Sequence, residues 1–168
     1  MKPETKSNLS GTPQICILDK NKSYRHIIED LIKALGYNCV ESFESSREII
    51  EYRFRPDILI MDYELGKSSL NGLEFFRLYG CNLFAGTKFI FFSSNASSDI
   101  AMTAIRLGAY DYILKSKRGL EKLASRLDKL VKIYRLNHRK AILLRGALLT
   151  LGVVSIILLL AIFFYSHP

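Results

Sequence analysis

Short apolar runs alternate with stretches of helical periodicity through most of the chain. Ile15-Cys16-Ile17-Leu18 is a continuous apolar run of strand length, as expected of a strand buried on both faces. From Ser23 to Leu35, apolar residues Ile27, Ile28, Leu31, Ile32 and Leu35 fall at helical spacing, with Gly36 as the stop. The pattern then predicts a strand over 38–43, a helix from Ser45 to Arg53 with Ser45 or Ser46 as cap, and a strand over 58–61. After a loop from Gly66 to Asn71 it predicts a helix over 72–79, a strand over 89–92, a helix over 97–107 closed by Gly108, and a strand over 112–114.

The last helix carries Leu120, Leu123, Leu127, Leu130 and Tyr134 at alternating steps of three and four. That stripe suits either a core-facing side or the seam of a short coiled coil. Five strands alternating with five helices predict an α/β fold whose parallel sheet is covered on both faces. Such sheets place ligand sites beyond the carboxyl ends of the strands. The residues there are Asp19-Lys20-Asn21, Asp62-Tyr63-Glu64, Ser93-Ser94-Asn95 and Lys115. Two carboxylates, a hydroxyl and a lysine gathered at one sheet end make a coherent polar site; a lone aspartate after a strand is usually only a cap or turn former.

The segment Gly146–Tyr165 changes the picture of a purely soluble domain. It reads GALLTLGVVSIILLLAIFFY, without a charge, and as a helix it would reach roughly 30 Å, the hydrocarbon thickness of a bilayer. Charge supports the same reading. The net charge of +8 is uneven: residues 115–145 hold 11 Lys or Arg against Glu121 and Asp128, leaving the first 114 residues near neutral. A basic flank marks the cytoplasmic side of a span and is attracted to anionic lipid headgroups. The competing reading of this run, nucleic-acid binding, explains nothing that the apolar neighbour does not. The expected arrangement is an N-terminal cytoplasmic domain and a single C-terminal span. The polar N-terminus, MKPETKSNLSGTPQ, lacks the apolar core of a secretion signal. Cys16, Cys39 and Cys81 are too few and too far apart for a disulfide framework or a zinc site, and Cys16 and Cys39 are expected as buried free thiols.

The segments ILDKNKSYR, ILIMDYELGKSSLNGLE, FIFFSSN and AIRLGAYDYILKS together resemble the receiver domains of two-component response regulators, in order, over about residues 14–135. The resemblance implies a flavodoxin-like, doubly wound, five-stranded parallel sheet with five helices, here followed by one C-terminal transmembrane helix. It implies that Asp62 accepts a phosphoryl group from a histidine kinase or histidine phosphotransfer protein. Ser93 then matches the switch hydroxyl, Lys115 the lysine that pairs with the phosphoryl oxygens, Tyr112 the aromatic switch, and Asp19 the first of two acidic Mg²⁺ ligands. The chemistry agrees, because a carboxylate meeting a phosphoryl group needs both charges neutralised.

Three positions depart from the family pattern. Lys20 replaces the second acidic ligand, and its ammonium should weaken Mg²⁺ binding. Ser116 replaces the proline after the lysine, so no cis bond is expected there. The loop after Asp62 has Gly66 in place of a common proline and is about two residues longer. Glu64, two residues after Asp62, is a candidate replacement ligand, giving Asp19, Asp62 and Glu64 as a candidate metal set; the plain alternative is a solvent-exposed loop residue.

His26 reads as a surface residue, and the flanking residues that a phosphatase would require around Asp62-Tyr63-Glu64 are missing. Gly146 and Thr150 form a small-xxx-small pair suited to pairing of two copies. The expected organisation is a polar arm over 1–13, the receiver domain over 14–135, a basic juxtamembrane segment over 136–145, the span over 146–165 and a short outer tail over 166–168. No enzymatic or DNA-binding output domain is expected, so the output would be a protein contact, made through the fourth helix, fifth strand and fifth helix, or withdrawal of phosphate from a competing relay. The alternative is a phosphorylation-independent adaptor tethered to the membrane; a metal-dependent enzyme on the same fold has only the shared strand ends in its favour.

Overall fold

The computed structural model describes residues 11–52, 55–66 and 70–166. Its elements run β1 (Ile15–Leu18), α1 (Lys22–Ala34), β2 (Val40–Phe43), α2 (Ser46–Glu51), β3 (Ile58–Met61), α3 (Gly72–Tyr79), β4 (Lys88–Ser93), α4 (Ser98–Arg106), β5 (Asp111–Leu114) and α5 (Lys117–Ser166). The five strands form one parallel sheet in the order β2-β1-β3-β4-β5, the flavodoxin-like doubly wound topology.

Alternate residues of each central strand serve opposite faces. Ile15, Ile17, Ile58, Ile60, Ile90 and Phe92 meet Ile28 and Ile32 of α1 and Leu123, Leu127, Leu130 and Val131 of α5. Cys16, Leu18, Leu59, Met61, Phe89 and Phe91 meet the aromatic packing of α3, Phe75 and Phe76, together with Ile49, Phe84 and Ala104. The leucine stripe of α5 is therefore a core face rather than a coiled-coil seam. β2 is shorter than expected and only partly buried, because it is the sheet edge and has a neighbour on one side only. Boundaries elsewhere shift by a residue or two. Arg53, the arm before Gly11, residues 67–69 of the loop after Asp62, and the last two residues of the outer tail lie outside the described residues.

Local chemistry fixes the helix starts. Asn21, Ser45, Asn71 and Ser97 cap α1, α2, α3 and α4 by accepting from backbone amides of the first turn, and Asn71 with Glu74 completes a capping box. α5 is continuous for 50 residues. It packs on the sheet only in its first turns. Its later part contains the one helix stretch, among the described residues, long and apolar enough to cross a membrane, with a mean hydropathy of 1.9 and none of that window buried.

The helix begins at the carboxyl end of β5 and runs back past the other end of the sheet. There the Tyr134 hydroxyl bonds the Asp57 carboxylate just before β3, and His138 lies beside Gly11 just before β1. Cys16 is buried and its thiol is pushed up to about 12, chiefly by desolvation. Cys39 is partly buried and donates to Gln14, while Cys81 is exposed. All three are free thiols.

Candidate functional site

The parallel register determines which side chains meet at the carboxyl end of the sheet. Leu18 pairs with Met61, so Asp19 and Asp62, each one residue further on, emerge side by side. The Asp62 amide donates to the Leu18 carbonyl at 2.9 Å and the Asp19 amide to the Phe43 carbonyl at 3.1 Å, which ties both carboxylates to the strand ends. Ser93 pairs with Leu114, and the Lys115 amide donates to the Ser93 carbonyl at 2.8 Å.

Lys115 enters the site from β5, and its Nζ lies 2.6 Å from Asp19 Oδ2 and 2.6 Å from Asp62 Oδ2. This triad is buried: Asp19 is 1% exposed, Asp62 6%, and the Lys115 side chain 2%. Asp19 Oδ1 accepts from the Asn21 amide at 2.8 Å. Burial still outweighs these bonds and holds the Asp19 carboxyl above the usual range. Asp62 Oδ1 is buried with no hydrogen-bond partner, the only such side-chain atom among the described residues. A buried carboxylate oxygen without a donor is costly, and so marks a place where a cation or an incoming group would be stabilising.

Ser93 is buried, and its Oγ accepts from the Asn95 amide at 3.3 Å. The Tyr112 hydroxyl donates to the Asn95 carbonyl at 2.9 Å, and its ring stacks on Phe91 at 5.7 Å. Burial raises the Tyr112 phenol, and the charge of Asp62 adds to the shift. Tyr112 therefore points into the fold against the loop that carries Ser93. The peptide bonds of the described residues are all trans, the one before Ser116 included.

Glu64 stands apart from this triad. Its Oε2 is 3.0 Å from Lys20 Nζ, with side-chain exposures of 59% and 46%. Among the described residues no group of three His, Cys, Asp or Glu side chains is placed to hold a metal, so Asp19, Asp62 and Glu64 are not drawn together in this geometry. Asp19 and Asp62 alone do suit Mg²⁺, which is commonly held by one or two carboxylates with water and phosphate completing its shell. The donor set is all oxygen, it retains a net negative charge beside Lys115, and it includes the unsatisfied Asp62 Oδ1.

Three contributors escape a strand-end reading. Tyr24 places its ring 4.3 Å beneath Lys115 Nζ, a cation–π contact. It is signalled only weakly, by lying one turn before Ile28 on the inner face of α1. Arg25 donates to the Asp19 carbonyl at 2.7 Å. Gly72 seats α3 against the Asp62 loop: its amide donates to the Tyr63 carbonyl at 2.7 Å, and a Cβ there would fall 2.6 Å from the Asp62 carbonyl oxygen.

Comparison with known proteins decides the family. The sequence profile of the response regulator receiver domain matches residues 15–128. The chain belongs to the receiver-domain family of response regulators. The fold agrees. A signal receiver domain from Vibrio parahaemolyticus is similar with a TM-score of 0.65 and 21% identity, over 76% of this chain and 95% of that one. A response regulator from Thermotoga maritima has a TM-score of 0.61 and 25% identity, over 72% and 98%.

A protein-glutamate methylesterase/protein-glutamine glutaminase of Burkholderia thailandensis is 30% identical over 106 residues, covering 61% of this chain and 29% of that protein. Its counterpart in Desulfotalea psychrophila is 27% identical over 134 residues, covering 74% and 36%. The chain thus spans about a third of the curated relatives it matches. Receiver domains are signalling modules, typically non-enzymatic; they meet histidine kinases or phosphotransfer proteins and bind Mg²⁺ at an acidic pocket.

Proposed function

We propose that this receiver accepts a phosphoryl group on Asp62 from a histidine kinase or histidine phosphotransfer protein, and does so while anchored in the cytoplasmic membrane by the apolar half of α5. The observation carrying the first part is the state of Asp62: buried, one oxygen on Lys115 and the other without a partner.

In the proposed step an Asp62 carboxylate oxygen attacks phosphorus as the bond from phosphorus to the donor's imidazole nitrogen breaks. The imidazole leaves with the electron pair. Lys115, already between two carboxylates, turns to the phosphoryl oxygens, and the Ser93 hydroxyl donates to one of them. Asp19 and Asp62 would hold Mg²⁺, whose chemistry is to neutralise charge gathering on the transferring group. Tyr112, bonded to the Asn95 carbonyl of the Ser93 loop, would carry the change to the surface of α4, β5 and α5, where a downstream protein binds.

The anchor rests on the unburied apolar stretch of α5 and on the basic residues before it, which favour anionic lipid and a cytoplasmic domain. Pairing of two copies through the span is consistent with Gly146 and Thr150. A second reading, an adaptor that works without phosphorylation, is favoured by one observation: the Lys20 ammonium, salt-bridged to Glu64, where the family has an acidic ligand.

The deciding experiment incubates the full chain in uncharged detergent micelles with a small-molecule phosphodonor, with and without Mg²⁺, and measures intact mass. A phosphoryl adduct absent from Asp62→Asn supports the phosphoacceptor reading. A folded chain that takes no phosphoryl group from either the donor or a panel of histidine kinases would sink it. Membrane residence is read separately, by resistance of the chain to alkaline extraction from membranes.

A further inference from the structure

The ion pair between Lys20 and Glu64 joins the two loops that carry the site's carboxylates. Lys20 follows Asp19 directly and Glu64 lies two residues after Asp62. The register between β1 and β3 sets those loops next to each other, and the 3.0 Å bridge closes across them. The same two strand ends carry Asp19 and Asp62 of the buried triad, with Asp62 Oδ1 unpartnered.

The charges divide cleanly. Asp19, Asp62 and Lys115 sum to one negative charge, and the bridged pair adds none. Removing one partner changes this, because Glu64 without Lys20 would leave a second negative charge beside the site while Lys20 without Glu64 would cancel the first. Both partners are about half exposed, where an ion pair is worth little and weakens with salt. It can therefore exchange partners on binding.

We propose that the Lys20–Glu64 ion pair is a latch that sets the divalent-cation affinity of this receiver: Lys20 holds in reserve the carboxylate that would otherwise strengthen the Asp19–Asp62 site. This rests on the reading of Asp19 and Asp62 as the metal-holding pair. It adds that the affinity is governed by two residues outside the buried triad, and that the cation competes with Lys20 for Glu64.

The test is Mg²⁺ titration calorimetry on the full chain, stripped of metal, in uncharged detergent. Lys20→Met should tighten Mg²⁺ binding roughly fivefold or more by removing a like charge and freeing Glu64. Glu64→Gln should weaken it by a similar factor, since Lys20 is left uncompensated. The double variant should return to within about twofold of the parent.

Lys20→Met binding as the parent does, whether both bind or neither does, would overturn the latch. So would a gain in Lys20→Met with no loss in Glu64→Gln, because Lys20 would then act alone. The phosphoacceptor reading fails separately. An adduct on Asp62 together with unchanged Mg²⁺ binding in Lys20→Met leaves that reading standing while the latch falls, whereas the expected affinity changes without any adduct retain the latch and remove the phosphoacceptor.

Discussion

Replacing Lys115 with Met removes the cation from between two buried carboxylates while keeping an unbranched side chain to fill the space. Both Asp19 Oδ2 and Asp62 Oδ2 are 2.6 Å from Nζ, so they are at most about 5.2 Å apart, and their repulsion at an effective dielectric constant of about 20 is at least ~3 kcal/mol. The fold can avoid that only by protonating one of them. For a carboxyl of ordinary pKa this costs about 4 kcal/mol at pH 7, and burial, which already holds Asp19 above its usual range, lowers that cost. Either route destabilises by about 3 kcal/mol, in line with the cost of breaking a buried ion pair.

For a domain of this size that is a fall in Tm of about 10–15 °C at pH 7. The sign with pH follows from linkage. A carboxyl whose folded pKa is raised favours the folded state at low pH and loses that contribution as pH rises through the folded value. The deficit of the variant should therefore shrink by roughly half at pH 5, and Asp19→Asn added to Lys115→Met should restore much of the loss at pH 7. The assay is near-UV circular dichroism of the full chain in detergent during heating, whose signal comes chiefly from the aromatic core of the domain. A loss below about 1 kcal/mol, or one identical at pH 5 and pH 7, would refute the premise that Lys115 neutralises two buried carboxylates.

Other expectations follow from single contacts. Gly72→Ala puts a Cβ against the Asp62 carbonyl oxygen, the Tyr63 Cα and the Phe91 ring, so it should destabilise by about 1–3 kcal/mol and reduce the rate of phosphoryl uptake; thermal melts and adduct formation report the two effects. Tyr24→Leu removes the ring beneath Lys115 and should cost about 1–2 kcal/mol for a desolvated cation–π contact, measured by the same melts. Asp111 experiences burial that raises its pKa, but hydrogen bonds from Arg126 and Lys122 outweigh it and hold the carboxyl below the ordinary value. Its contribution to stability is present above that value and lost as pH falls through the folded pKa, so Asp111→Asn should destabilise at pH 7 and make no difference in strongly acid solution, as acid-unfolding curves would record.

Periodicity made the sheet legible because each central strand is buried on both faces, so Ile15–Leu18 and Ile58–Met61 are apolar without alternation and their ends are marked by the abrupt arrival of Asp19 and Asp62. The edge strand β2 was less legible. Its burial is partial, so VESF carries no clean pattern. The stripe on α5 could be read two ways, since a core face and a coiled-coil seam share one spacing; only the burial of Leu123, Leu127 and Leu130 in one cluster with the sheet separates them. At the site, strand-end position pointed to Asp19, Asp62, Ser93 and Lys115. It could not reveal that Lys20 faces Glu64 rather than the buried triad, because that depends on two loop conformations. Tyr24, Arg25 and Gly72 were hidden for another reason: they act on the site from helices, through a ring face, a bond to a backbone carbonyl and the absence of a Cβ.

The course of α5 limits how an anchored receiver could present itself. The helix starts beside the site, immediately after Lys115, yet its inner face packs along the sheet toward Tyr37, Asp57 and Gly11 at the opposite end. Under the proposed anchoring, the bilayer then lies beyond the amino ends of the strands and Asp62 faces away from it. From Lys117 to Arg145 an α-helix advances about 43 Å, which sets the height at which a membrane-bound kinase would have to deliver its phosphohistidine. The contacts that direct the helix on this course, Tyr134 to Asp57 and His138 beside Gly11, lie far from the chemistry. Weakening them would leave phosphoryl uptake from a small donor intact and alter only uptake from a partner fixed in the same membrane. That separation distinguishes a tether that positions the receiver from one that merely concentrates it, since a flexible tether would raise local concentration whatever the direction in which α5 left the domain.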